Sequence, residues 1–455
     1  MIGSMIKSNP YHKSIFPSGT RLILVPMSGV ESVATSVMVE VGSRYETPEI
    51  NGVSHFLEHM VFKGTKKYPT TEDVNFIERM GGLQNAYTDV DITSYHNKLM
   101  ASDWKEALEL NKELALYPRI EEQYIDKERN VILEEMKRYE DDLPAKVSEA
   151  FQQLMYPSTS LGMRVIGEEA PLRKATSKTL RDYHDSFYTP DRMVVVIAGK
   201  IQNSESTIQN QTEEWFGSVN SHLRQGFLLH QGYGGQVVGQ ARQDDNRESF
   251  QKVRDNQKKP AYSVITKKDA QQAHLTLGVR SFWRGSEDRF AWNIFNLLFG
   301  VSFTSRLFKE IREKRGLCYT IRSGSDNWDD VGYWSIYAGV ATEKVKEAVS
   351  AIIDELKKVV DKGVTQEEVA IAKKRLLTML SFKTEDPEFM AEYYGQQELR
   401  HIPILTIEEY FQKIQRVTKE DVNALIRKYI VQQCLNLAVV WNKPKDDSLI
   451  RLLSL

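Results

Sequence analysis

Apolar residues fall along this chain in two rhythms. Arg21 to Val25 and Val33 to Val41 alternate with a period of two and predict strands, and Met193 to Gly199 (MVVVIAG) and Leu435 to Trp441 (LNLAVVW) are unbroken apolar runs that predict buried strands. Other stretches carry helical spacing. In Glu128 to Met136 the residues Val131, Ile132 and Met136 supply apolar positions toward a core, while the carboxylates lie elsewhere on the helix. The whole pattern then recurs. Ala175 to Tyr188 followed by Met193 to Gly199 is matched without gaps by Val417 to Ile430 followed by Leu435 to Trp441, each copy a helix and then a strand. Asp142-Leu143-Pro144 with Glu385-Asp386-Pro387, and Ser32 to Val41 with Ala273 to Val279, fit the same offset to within a few residues. So long a period marks a duplicated domain rather than a solenoid. The expected fold is α+β: two homologous sandwich halves, each a mostly antiparallel sheet with helices on one face.

Composition divides the chain at one place. A polar, Gln-rich stretch from 222 to 262 has too few apolar residues to bury and predicts a linker, with Gly232 to Gly235 as a loop and at most a short helix around 247 to 253. The halves are then 5–221 and 263–455, after a Met1 to Ser4 stretch that reads as a cloning scar. A chain of 455 residues is too long for one ordinary core. The formal net charge of −2 points to neither a nucleic-acid nor a membrane partner. No apolar run reaches spanning length, no hydrophobic signal region opens the chain, and Cys318 and Cys434 are the only cysteines. A cytoplasmic protein is expected.

The chemistry concentrates in His55-Phe56-Leu57-Glu58-His59. On a helix His55 and His59 are one turn apart on one face and can close on a single ion, with Glu58 beside them, close enough to reach a metal-bound water. The order is H-x-x-E-H, the inverse of the commoner zinc-peptidase motif. Catalytic zinc usually takes a third protein ligand. A helical Glu from Glu128-Arg129-Asn130-Val131-Ile132-Leu133-Glu134-Glu135 is the natural one, Glu128 and Glu135 being two turns apart on one face. Periodicity does not separate Glu134 from Glu135. The lack of GxGxxG or GxxxxGK[ST] removes a nucleotide-binding reading.

Gly42-Ser43-Arg44, the run GVSHFLEHMVFKGT from Gly52 to Thr65, Asn85-Ala86-Tyr87-Thr88 and Glu128 to Met136 together resemble the pitrilysin/insulinase (M16) family of zinc peptidases, and within it the short branch that includes mitochondrial processing peptidase and bacterial relatives. The resemblance covers nearly the whole chain. It implies that His55, His59 and Glu135 hold zinc, that Glu58 is the general base, and that Glu128 is a carboxylate behind the ligands. Ser305-Arg306-Leu307-Phe308 and Ile311 to Tyr319 resemble the family's R-x6-Y element, which implies that Arg312 and Tyr319 contact the scissile peptide; a guanidinium and a phenol suit a carbonyl oxygen gaining charge. Where the first half has its histidines, the second has the apolar helix Phe290 to Asn296.

The resemblance further implies a clam-shell of four such halves. A chain of two would therefore pair, as a homodimer with sites completed in trans or as a heterodimer with a metal-free sister. Peptide substrates would lie along Asn85, Ala86, Tyr87 and Thr88 as an added strand; the other reading of this stretch is an ordinary sheet edge, blunted by Asp89 and Asp91. The expected activity is zinc-dependent endopeptidase cleavage of peptides or unfolded segments. The other reading is a structural or peptide-binding subunit.

Overall fold

The computed structural model describes residues 11–201, 204–217, 250, 252–253 and 257–455. Most of the expected linker, the Gly232 to Gly235 loop, the initial five residues and most of the short helix expected over 247–253 lie outside the described residues.

Eleven strands form two sheets among the described residues. The first holds β1 (His12–Ile15), β2 (Arg21–Pro26), β3 (Ser32–Val39), β4 (Leu83–Thr88), β5 (Thr93–Met100) and β6 (Met193–Gly199), in the order β1-β2-β6-β3-β5-β4. The second holds β7 (Ala261–Thr266), β8 (Ala273–Ser281), β9 (Cys318–Asn327), β10 (Gly332–Val340) and β11 (Asn436–Trp441), in the order β7-β11-β8-β10-β9. Apart from β1 the two orders correspond strand for strand. Each sheet has one parallel pair, β2 with β6 and β7 with β11, and is otherwise antiparallel. The fold is α+β and duplicated, as the repeat predicts. Helices Ser177–Phe187 and Lys419–Tyr429 start with the same device, a capping box built on Thr176 with Thr179 and on Thr418 with Asp421.

The strands β2 and β3, expected as alternating strands, are not half-exposed. All residues from Arg21 to Val25, and all of β3 after Ser32, are buried. The reason is a second helical layer. On one face of β3, Asn111 of helix Trp104–Leu116 donates to the Thr35 carbonyl at 3.1 Å and hydroxyl at 3.0 Å. Met38 points to the opposite face. There helix Pro387–Leu399 approaches so closely that a Cβ on its Gly395 would come within 2.7 Å of both Met38 and Val196. Helices from the first half therefore cover one face, and the other receives a helix from late in the chain.

The second sheet is built reciprocally. Its Tyr333 packs edge-on against Phe151 of helix Leu143–Met155, with ring centroids 5.3 Å apart, and Arg280 donates to the Met155 carbonyl. On the other face Trp334 meets Trp292 of helix Asp288–Asn296 at 5.7 Å. Accordingly, among the described residues one compact unit takes those within 1–134, 163–251 and 381–408, and the other those within 135–162, 252–380 and 409–455. The first sheet takes its strands from before the expected linker, and the second begins with β7 at Ala261, within the last residues assigned to that linker; the compact units cross this division, each taking one helix from the other side. Both borrowed helices begin alike, with Asp142 and Asp386 as N-caps followed by a proline in the first turn.

Charged groups hold helix Pro387–Leu399 in the first unit. Lys98 on β5 is 2.8 Å from Asp386, Arg21 on β2 donates to the Glu398 carbonyl at 3.0 Å, and Arg400 is 3.2 Å from Asp91. Asp91 is 4 % exposed, so it does not blunt the edge of the sheet as its place in the sequence suggests. Removing one member of a buried pair strands the other charge. Asp91→Ala should thus cost about 3 kcal/mol of stability, read as a lower urea midpoint for the first unit.

Candidate metal centre and edge strand

The histidine motif lies on helix Val53–Val61. Val53, Phe56, Leu57, Met60 and Val61 are buried, and this apolar stripe turns His55, Glu58 and His59 to the opposite face. The helix start is set by two features. Gly52 adopts φ +98°, and a Cβ there would fall 2.8 Å from the Gly167 Cα, so the turn into the helix admits only glycine. Glu46 supplies the cap that Gly52 lacks: its carboxylate accepts from the Gly52 N–H (2.7 Å), the Ser54 N–H (2.7 Å) and the Asn51 amide (2.8 Å). Burial raises the Glu46 pKa, and those backbone donors oppose the rise. Sequence reasoning overlooked Glu46. Its only signal is an acid a few residues ahead of a helix whose own N-cap position carries no oxygen.

Helix Glu122–Asp141 brings up the carboxylates. Arg129 ties it down by donating from Nε to the Leu172 carbonyl at 3.0 Å and from Nη2 to the Ala175 carbonyl at 2.7 Å. Ile125, Glu128, Ile132, Leu133 and Met136 are buried, whereas Val131, expected toward the core, is 45 % exposed. The expected stripe was displaced by one position, because the buried face follows Glu128. Glu135, two turns on from Glu128, lies on that same face, and Glu134 is exposed. The division between the compact units falls between these two residues, in mid-helix, so Glu135 is placed by the same rigid rod as Glu128.

One ligand atom each from His55, His59 and Glu135 can be chosen so that all lie within 4.8 Å of one another. Tetrahedral zinc with bonds of about 2.0–2.2 Å spaces its ligand atoms roughly 3.5 Å apart, so small side-chain rotations close this set. Two imidazoles and a carboxylate suit that ion. The two rings meet edge-on with centroids 4.8 Å apart. Burial, with the neighbouring His59 adding to it, holds the His55 pKa down at about 3, which leaves its imidazole neutral and able to donate a lone pair at neutral pH. Behind the donors, His59 Nδ1 is 3.5 Å from Glu128, itself 3.0 Å from Lys63, an arrangement that directs His59 to bind through Nε2. Glu58 lies close enough to the buried Tyr95–Tyr188 pair, hydroxyls 3.1 Å apart, that its charge adds to the burial that raises both phenols.

The strand expected to receive substrate is an edge. β4 ends the first sheet, with Asn85 opposite His96, Ala86 opposite Tyr95, Tyr87 opposite Ser94 and Thr88 opposite Thr93, and no strand among the described residues pairs with its outer side. Helix Val53–Val61 packs against it. Arg312 and Tyr319 belong to the other compact unit. There Arg312 sits in the π-helical segment Phe308–Lys314, its guanidinium 4.8 Å from the Phe308 ring, and Tyr319 follows at the start of β9 with 63 % of its surface exposed. A π-helical turn is uncommon and often marks a functional site. The helix Asp288–Asn296 of this unit buries Phe290, Trp292 and Phe295 and carries no donor set.

Known proteins resemble this chain along almost all of it. Residues 22–169 match the model of the insulinase family (peptidase family M16), and residues 174–376 match that of the peptidase M16 inactive domain. The uncharacterized zinc protease YmxG of Bacillus subtilis is 31 % identical over 415 residues, which cover 91 % of this chain and 94 % of that one. A protease from Helicobacter pylori superposes with a TM-score of 0.83 at 21 % identity, over 96 % of this chain and all of the other. The periplasmic protease PqqL of Escherichia coli gives 0.75 at 20 % identity, over 98 % of this chain but 50 % of its own.

The geometry groups Glu135 with the two histidines. Glu135→Ala should weaken zinc binding by more than the 10- to 100-fold typical of an outer partner, Glu128→Gln by roughly that range, and Glu134→Ala not at all. Competition with a chromogenic chelator measures all three.

Proposed function

The chain belongs to the insulinase family of peptidases, M16, and on that footing we propose that it is a zinc-dependent endopeptidase acting on peptides and unfolded segments. One observation carries this reading: two imidazoles and a helical carboxylate converge on a common point, with Glu58 on the same helix face as the imidazoles. When bound there, zinc would supply a Lewis acid toward a water and a scissile carbonyl. His55, His59 and Glu135 would be its ligands, and Glu128 would orient His59. The rest is protein chemistry. Glu58 takes the proton of the attacking water and delivers it to the leaving amine. The substrate pairs with β4 through its main chain, which gives affinity with little dependence on sequence. Arg312 and Tyr319 donate to the carbonyl oxygen as it gains charge.

The working enzyme in this proposal is a pair of chains. The first half holds the metal donors and the second holds the Arg/Tyr element, so a closed chamber of four halves needs two copies, each completing the other's site. That this chain aligns with half of PqqL supports such a count. A heterodimer with a metal-free sister is the rival assembly. The match of residues 174–376 to a domain called inactive fits a second half without donors and leaves the first half's set intact. That match also favours the second reading of the chain, a peptide-binding or structural subunit. A cytoplasmic location is proposed from the two cysteines, too few for a disulfide framework. No helix among the described residues is long and apolar enough to cross a membrane.

Glu58→Gln should retain one zinc per chain and lose cleavage of a quenched peptide by at least about 10²-fold; retained turnover refutes the base assignment, and a zinc-replete wild type that cleaves nothing favours the binding-subunit reading. Mixing Glu58→Gln with Arg312→Ala chains should restore up to about a quarter of wild-type activity if sites are completed in trans and subunits exchange at random. No recovery after verified exchange argues for sites completed within one chain.

A further inference from the structure

Neighbouring residues on a strand point to opposite faces of the sheet, and this decides what surrounds a peptide laid along β4. Ala86 and its partner Tyr95 share the face on which Glu58 lies. Asn85, Tyr87 and the partner His96 point to the other face, where helix Pro387–Leu399 begins. There the structure holds a cavity of about 930 Å³, all of it within the first compact unit. Its chemistry is two-sided. Ala34, Leu83, Phe389 and Ala391 make apolar walls, with Leu83 63 % exposed on the edge strand itself. Four carboxylates, Glu78, Asp386, Glu388 and Glu392, complete the lining.

The compensating charges fall short of four. Lys98 is 2.8 Å from Asp386 and 3.9 Å from Glu388, and so serves chiefly the first. Glu392 accepts hydrogen bonds from Tyr87 and from Gln396, and among the described residues no cation pairs with it. His96 adds none, because burial lowers its pKa. Negative charge is left over beside an open strand edge, in a space with hydrocarbon walls.

We propose that this cavity is a side-chain subsite for a lysine or arginine of a peptide paired with β4, on the sheet face opposite the metal donors. A long basic side chain matches both parts of the lining: its methylene stem lies along Leu83 and Phe389 while its charged head reaches Glu388 and Glu392. The subsite rests on the peptidase reading of β4 and adds selectivity to a main-chain contact that has little of its own. It also gives helix Pro387–Leu399 a part in substrate choice.

The zinc-loaded full-length protein tests this with quenched peptides that differ at one scanned position, carrying lysine, the neutral isostere norleucine, or glutamate. At one register the lysine peptide should show a kcat/KM roughly tenfold above the norleucine peptide, a preference that shrinks as salt rises. Glu388→Gln should bring the two near parity, and Glu388→Lys should favour the glutamate peptide, with zinc content unchanged in both. Equal ratios in wild type and variants at every position overturn the subsite. If no peptide is cleaved, it is the peptidase reading that has failed; fluorescence anisotropy of the same peptides on the Glu58→Gln chain then decides the subsite alone, and equal affinity for lysine and norleucine peptides overturns it.

Discussion

The central strands of both sheets have no polar face, and the rest of the molecule answers that constraint. β2, β3 and β6 are buried on both sides, so each needs a helical layer above and below. The helices that follow these strands in sequence supply one layer only. The other comes from the opposite half of the chain, helix Pro387–Leu399 for the first sheet and helix Leu143–Met155 for the second. An apolar face left bare would cost on the order of 25 cal/mol for each Å² kept in water, which makes the exchange a condition of folding and not an ornament.

That exchange shapes the functional end of the first unit. Helix Pro387–Leu399 covers β6, β3 and β2, and only its first turns reach the edge, where Asp386 meets Lys98 and Glu392 meets Tyr87. Among the described residues β4 consequently has no strand on its outer side, and a cavity lies beneath it. On the opposite face the constraint acts through helix Val53–Val61, whose apolar stripe is buried and whose start is clamped by Glu46. With stripe and start both fixed, His55, Glu58 and His59 have one direction left to point. The donor set follows from packing before any ion contributes to it.

Much of this was legible in the chain. The repeat gave the duplicated sheets because helix-then-strand segments such as 175–199 and 417–441 are local structures, encoded by local periodicity and capping residues. His55, Glu58 and His59 were legible because i and i+4 spacing on a helix is itself geometry. What escaped has a common character: it depends on partners distant in sequence. The expected sheet carries helices on one face, and a helix from late in the chain covers the other. Val131 fits the apolar spacing but lies outside, because the buried face is set by Glu128 meeting His59 and Lys63. Asp91 looked like an edge charge until Arg400 paired with it.

By itself the sequence determined the elements, the duplication, the two imidazoles with Glu58 beside them, and the apolar replacement of that motif in the second half. All of these are properties of segments no longer than a helix and its neighbour, where the period of the backbone fixes which side chains share a face. The fold had to decide which of two adjacent glutamates joins the histidines, which helix closes each sheet, and what chemistry lies under the edge strand. Glu134 and Glu135 differ by about 100° around one helix, and only the packing of that helix against its neighbours gives the angle a meaning.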